Sequence, residues 1–213
     1  MTKKQKANEL IVRLAQLYPD AKCSLDFENE LELIVATCLS AQCTDERVNI
    51  VTKDLFARYH SAQDYADADI KELEEIIRSC GFYKNKAKNL KGLGEVLCQR
   101  FHGNVPSTMD ELLQLPGVGR KTANLVLGVV YNDQGIVADT HCIRLSNRFG
   151  LTDSTDPVAV EKQLSRLISK NERLMFCHRL IYHGRAVCQA RRPSCDACTL
   201  SDLCSAVKRE KRV

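Results

Sequence analysis

Apolar residues recur along this chain at helical spacing and almost nowhere at strand spacing. Leu10, Ile11, Leu14 and Leu17 form a stripe that Pro19 ends. Leu31 to Leu39 reads as an apolar helix, and Val48, Val51, Leu55 and Tyr59 predict another. Asp69 is placed to cap a helix over Ile70–Ser79, with Leu73, Ile76 and Ile77 on one face and Gly81 near its end. Leu90, Leu93, Val96, Leu97 and Phe101 carry the next stripe, and Thr108-Met-Asp-Glu111 fits a capping box before Leu112 and Leu113. Leu125–Val130, His141–Phe149, Val158–Ile168 and Leu174–Val187 complete the set. No stretch alternates apolar and polar residues long enough for a strand. The pattern predicts an all-α fold of about ten helices joined by short connections.

Candidate boundaries fall near residue 21 and at Asn132-Asp-Gln-Gly135. Charge follows the same division. The net charge of +4 over 213 residues hides a central segment, 22–133, at −4, while 1–21 and 134–213 together carry +8. The N-terminal helix therefore groups with the C-terminal half. This predicts a central domain of 22–133 and a discontinuous second domain of 1–21 and 134–213. A basic portion of that size suits a polyanionic partner; the plainer alternative is a solvated basic tail at Lys208–Arg212. Hydrophobic residues make up 44% of the chain, which excludes a disordered class. No apolar run approaches the ~20 residues that span a bilayer, and the first residues lack the apolar stretch of a signal peptide. A globular protein of the cytosol is expected.

The chain has eleven cysteines, an odd number that excludes complete disulfide pairing, and a reducing cytosol would keep thiols free in any case. Cys23, Cys38, Cys43, Cys80, Cys98, Cys142 and Cys177 are scattered, mostly within apolar helical patterns, and read as small core residues. Cys188, Cys195, Cys198 and Cys204 crowd into one stretch. Pro193 and its polar neighbours resist helix there, so the segment needs free energy from elsewhere, and a bound metal supplies it. Four thiolates without histidine suit either tetrahedral zinc or an iron–sulfur cluster. The spacing is not the paired CxxC of a zinc ribbon, which leans toward iron.

Leu115-Pro-Gly-Val-Gly-Arg-Lys-Thr-Ala123 joins a short amphipathic helix to a second one. Its glycines permit a tight turn and leave backbone N–H groups open to a phosphate at the next helix N-terminus. This reads as the hairpin of a helix–hairpin–helix DNA-binding element over about 108–127, which grips backbone and reads little sequence; the plainer alternative is an αα-corner with a Gly C-cap. Lys121 falls in the first turn of the second helix, where a cation is unfavourable against the macrodipole. A phosphate contact or a nucleophilic amine explains it. Asp139 stands before an apolar helical run, as an N-cap would; a carboxylate there could also stabilise a cationic sugar or move a proton.

Together these motifs resemble the endonuclease III family of base-excision DNA glycosylases. The likeness spans nearly the whole chain. It rests on Leu39-Ser-Ala-Gln-Cys-Thr-Asp45, Gly81-Phe-Tyr-Lys-Asn-Lys-Ala87, Leu115–Ala123, Val137–His141, His183-Gly-Arg185 and the four cysteines. The resemblance implies a six-helix barrel carrying the hairpin, a second domain formed by both chain ends, and a DNA cleft between them. It also implies a [4Fe–4S] cluster on Cys188, Cys195, Cys198 and Cys204. Lys121 matches the lysine that attacks C1′, and Asp139 the essential aspartate. Gln42 matches the residue that fills the space of the flipped nucleotide.

The resemblance further implies DNA contacts by Leu115, Gly117, Val118, Gly119 and Arg120 of the hairpin, by Tyr83 and His141, and by Arg191 and Arg192 in the first cluster loop. Phe82 stands where the family usually has an intercalating Leu, and Cys43 where Ala is common. The implied activity is excision of oxidised pyrimidines from duplex DNA through a lysine Schiff base, with β-elimination 3′ to the abasic site. The expected enzyme is a monomer of the bacterial cytoplasm, associated with the nucleoid. Two other readings share part of this pattern. Adenine mismatch glycosylases have the hairpin, aspartate and cluster but typically lack the lysine and carry a catalytic Glu where Cys38, Ser40 and Ala41 lie here. A non-catalytic helix–hairpin–helix protein with structural zinc would not need Lys121 and Asp139.

Overall fold

A computed structural model describes residues 1–210, with side chains as far as Val207. Lys211 and Arg212 of the basic C-terminal run lie outside the described residues. Helices follow one another as α1 (Lys3–Leu17), α2 (Glu30–Leu39), α3 (Asp45–Arg58), α4 (Ala62–Ala66), α5 (Ile70–Ile76), α6 (Tyr83–Phe101), α7 (Met109–Leu112) and α8 (Arg120–Val130). Then come α9 (Thr140–Phe149), α10 (Pro157–Leu167), α11 (Arg173–Ala186) and α12 (Ser205–Glu210). Single 3₁₀ turns occupy Arg78–Cys80, Lys170–Glu172 and Ser201–Leu203, and no strand occurs among the described residues. Two helices, α4 and α12, escape the apolar pattern because five or six residues are too few to show a period. The helix expected over Ile70–Ser79 stops at Ile76 and tightens into the 3₁₀ turn.

Side chains start most of these helices. Thr2, Asn29, Thr44, Ser61, Asp69, Thr108, Asp139 and Asp156 each accept a backbone N–H from the first turn that follows. At Thr108 the expected capping box is only half formed. Its hydroxyl accepts the Glu111 N–H at 3.4 Å but donates to the Glu111 carboxylate at 2.6 Å. Two of the helices that begin without a side-chain cap are α6, at Phe82, and α8, at Gly119.

The chain divides into two compact units, Cys23–Asn132 and the combination of Met1–Lys22 with the chain from Asp133 on. Each boundary differs by one residue from the division drawn on charge. In the first unit, α6 packs on α2, α4 and α5, and α2 packs on α8. Leu33, Ile34 and Leu39 meet Leu90, Leu93, Leu97 and Val126 in a core that excludes solvent. Each such side chain contributes about 2 kcal/mol on burial. In the second unit, α1 and α9 both pack on α11. Leu10 and Leu14, Leu145 and Phe149, and Phe176 and Leu180 are among the buried residues of those three helices.

None of the eleven cysteines forms a disulfide. Of the seven scattered ones, Cys38, Cys80, Cys142 and Cys177 are buried. Cys23, Cys43 and Cys98 are half-buried against the core of the first unit.

Candidate functional site

The hairpin is held from below. Leu115 and Val118 are buried, so their side chains anchor the turn to the core while the backbone between them faces outward. The Val118 N–H bonds back to the Leu115 carbonyl at 3.1 Å, closing the turn. Gly117 sits at φ +78°, and a Cβ there would stand 3.0 Å from the Cβ of Asn89 on α6. Both constraints select glycine. Beyond the turn, Gly119 begins α8 with no side-chain cap, so the first N–H groups of that helix are not claimed by a cap as they are in most others. Arg120 and Lys121 follow in its first turn, both exposed. An uncapped helix N-terminus flanked by two cations is an anion site.

Beside the hairpin, Cys38, Ala41, Gln42, Phe82, Asn85, Lys86, Asn89 and Gly117 line one pocket of about 230 Å³. Two of its residues are unusual in backbone. Gln42 has φ +53° and Phe82 φ +48°, left-handed values that cost a residue with a side chain about 1–2 kcal/mol. Phe82 is also 66% exposed, the most exposed aromatic side chain described. Strain and exposure that burial does not reward mark a surface kept for contact. Tyr83, by contrast, is half-buried against the core. Asn89 carries no motif in the sequence, and Asn85 and Lys86 fall within the Gly81–Ala87 motif without a role of their own being read there. Lys86 does leave a trace there: it shares the helix face of Leu90, Leu93 and Leu97, an apolar stripe in which a lysine is out of place.

Asp139 belongs to the other unit. Its carboxylate accepts the Cys142 N–H at 2.7 Å and so does serve as the N-cap of α9. The same carboxylate acts electrostatically on buried His178 of α11. Burial pulls the His178 imidazole below the ordinary histidine value, and Asp139 opposes that shift. Nearby, His141 Nδ1 lies 3.2 Å from the guanidinium of Arg144. A Cβ on Gly184 of α11 would stand 2.4 Å from His141 Nδ1 and 2.9 Å from Arg144, so α9 and α11 approach only because residue 184 has no side chain.

The four clustered cysteines line a single cavity of about 240 Å³, together with Arg148, His183 and Arg191. Arg148 organises the loop that begins it. Its guanidinium donates to the carbonyls of Gln189 at 2.8 Å and Ala190 at 2.9 Å, and to Cys188 Sγ at 3.1 Å. Arg144 adds a bond to the Cys188 carbonyl at 3.1 Å. On the far side, Cys204 Sγ donates to the Arg148 carbonyl at 3.4 Å, and His183 Nε2 lies 3.6 Å from Cys198 Sγ. Burial raises the Cys198 thiol, and the fields of Cys188, Cys204 and Cys195 add to the effect. Arg191 and Arg192 project from this loop and are exposed. Among the described residues no three potential ligands converge on a point that would hold a single ion.

A glycine-rich turn between two helices, with an exposed lysine in the first turn of the second, defines a helix–hairpin–helix protein. A family profile described as HhH-GPD superfamily base excision DNA repair protein matches residues 35–170. The chain belongs to this superfamily and, within it, to the endonuclease III family. It is 52% identical to Endonuclease III of Synechocystis sp. over 204 residues, 95% of this chain and 93% of that one. It is 44% identical to Endonuclease III of Bacillus subtilis over 202 residues, 94% of this chain and 92% of that one. The fold matches the solved structure of a trapped endonuclease III–DNA covalent intermediate in an estranged-adenine complex, with a TM-score of 0.94, 44% identity and all of both chains covered.

Proposed function

We propose that this protein is a bifunctional DNA glycosylase and abasic-site lyase that removes oxidised pyrimidines from duplex DNA. One observation carries the reading most directly. Lys121 stands exposed in the first turn of α8, directly behind a hairpin built to hold phosphate. A covalent DNA intermediate of a relative that shares the fold over its whole length supports it.

The hairpin N–H groups and the uncapped start of α8 would fix the phosphate backbone, with Arg120 supplying charge. A damaged nucleotide turned out of the stack would meet Lys121. Its neutral amine attacks C1′, the bond from C1′ to the base breaks, and the base departs with the bonding pair and takes up a proton. The sugar ring opens to a protonated Schiff base on Lys121. Loss of a proton from C2′ then expels the 3′ phosphate and cuts the strand, and water releases the lysine. In this reading Asp139 stabilises the cationic sugar or carries a proton. Gln42 and Phe82 occupy the gap in the duplex.

Cys188, Cys195, Cys198 and Cys204 would hold the [4Fe–4S] cluster. The cavity they line and a donor set of four thiols without a histidine ligand support that reading. When bound it would tie the loop that presents Arg191 and Arg192 to the body of its unit. The expected setting is the bacterial cytoplasm, at the nucleoid, with the protein acting as a monomer on duplex DNA. No described helix is long and apolar enough to cross a membrane.

The test is borohydride trapping on a duplex carrying an oxidised pyrimidine, with iron and visible absorbance recorded on the same preparation. A covalent adduct is expected, and it should vanish in Lys121→Gln. An adduct that persists in that variant places the nucleophile elsewhere. Colourless, zinc-loaded protein that still traps would keep the lyase and overturn the cluster.

A further inference from the structure

Lys86 is an unusual lysine: it is 7% exposed, and no carboxylate pairs with it among the described residues. Its ammonium instead donates to two backbone carbonyls, Leu39 O at 2.8 Å and Cys80 O at 2.7 Å. These carbonyls close two different segments. Leu39 is the last residue of α2, and Cys80 ends the 3₁₀ turn Arg78–Cys80.

Each carbonyl lacks a helical backbone partner because the chain leaves regular structure just afterwards. Behind Leu39 the chain reverses through Gln42 at φ +53°. Behind Cys80 it passes through Gly81 at φ +66° and Phe82 at φ +48°. A helix end with open carbonyls attracts a cation, and one buried ammonium serves both ends at once. Lys86, Gln42 and Phe82 line the same pocket, and all lie in one compact unit. Burial disfavours the ammonium, and the nearby Cys80, Cys43 and Cys38 thiols act the other way.

We propose that Lys86 is a positioning residue that clamps the Gln42 and Phe82 loops at a set separation, so that both side chains enter the duplex together. This rests on the reading of Gln42 and Phe82 as duplex-probing residues. A plain structural lysine could be replaced at the cost of stability alone. A clamp between two probing loops sets how far the base opposite a lesion is displaced.

The experiment uses the full chain and a duplex with a tetrahydrofuran abasic analogue opposite 2-aminopurine, whose fluorescence rises when it is unstacked; no chemistry is needed. The wild-type protein should raise the fluorescence on binding. Lys86→Met, which keeps the length and removes the donors, should bind about tenfold more weakly, the scale of one charged hydrogen bond, and abolish most of the rise at saturation. Lys86→Arg, which retains a cationic donor, should restore both. Leu93→Ala serves as a control of comparable instability and should keep the rise at saturation. If Lys86→Met does not fold, Lys86→Gln is read in its place with the same expectation.

A Met or Gln variant that matches wild type in affinity and in fluorescence overturns the clamp. So does a rise that Leu93→Ala reduces as much as Lys86→Met, since both effects would then follow from stability. A wild-type protein that binds without any rise overturns the probing roles of Gln42 and Phe82, and the clamp with them, while borohydride trapping still judges the lyase separately.

Discussion

Because the Asp139 carboxylate accepts the Cys142 N–H at 2.7 Å, its side chain helps hold α9 whatever it does for the reaction. Two substitutions separate these roles. Asparagine caps a helix about as well as aspartate, whereas alanine does not. Asp139→Asn should therefore leave the unfolding midpoint close to wild type, and Asp139→Ala should lose about 1 kcal/mol. Both should slow turnover by about 10²–10⁴-fold if the carboxylate takes part in catalysis. A calorimetric scan beside a single-turnover assay reads the two effects, and activity that tracks stability alone would leave Asp139 as a cap. At this scale the sequence is informative wherever a residue's role depends on its immediate neighbours. Asp139 before an apolar helix is legible as a cap, and Lys121 behind two glycines is legible as exceptional. Lys86 shows the opposite case. Its partners, Leu39 and Cys80, are carbonyls brought to it by the fold, and no local pattern announces them.

At the scale of elements, the hairpin depends on a close approach to α6. Gly117 lies at φ +78° and would press a Cβ to 3.0 Å from Asn89 of that helix. Gly117→Ala should destabilise the protein by about 1–2 kcal/mol and weaken binding to undamaged duplex, as the turn moves away from α6. Chemical denaturation and a binding titration check both. A variant unchanged in both measurements would mean that the turn is not held as described. The turn is legible from its glycines, but its neighbour Asn89 is not, because that residue lies on a helix far away in the chain. Short helices show a related limit. Five residues of α4 carry no period, and their place against α6 comes from packing. The four cysteines are readable as a set, but the guanidinium of Arg148 that shapes their loop is not, since the bond joins residues 40 positions apart.

For the whole molecule, charge is the property that acts at longest range. The segments 1–21 and 134–213 carry +8 against −4 for the central segment. Affinity for duplex DNA should fall linearly on a logarithmic salt axis, with a slope of about −0.9 for each phosphate neutralised. Replacing Arg191 and Arg192 together by Ala should make that slope shallower by about 1–2, one step for each phosphate no longer neutralised. Fluorescence anisotropy at several salt concentrations measures it. An unchanged slope would assign these arginines to ordinary surface charge.

By itself the sequence determined the helical class, the positions of most helices, the caps at Asp69, Thr108 and Asp139, the crowding of four cysteines, the hairpin and its lysine. All of these follow from residues within a turn or two of one another, where periodicity and side-chain chemistry act directly. Only the tertiary structure decided how distant segments use each other. It packs α1 against α11, lets α9 approach α11 at Gly184, and gives the Lys86 ammonium two carbonyls from the ends of separate helical segments. Those pairings depend on which surfaces meet once the cores close, and an apolar stripe specifies that a face will be buried without specifying what will cover it.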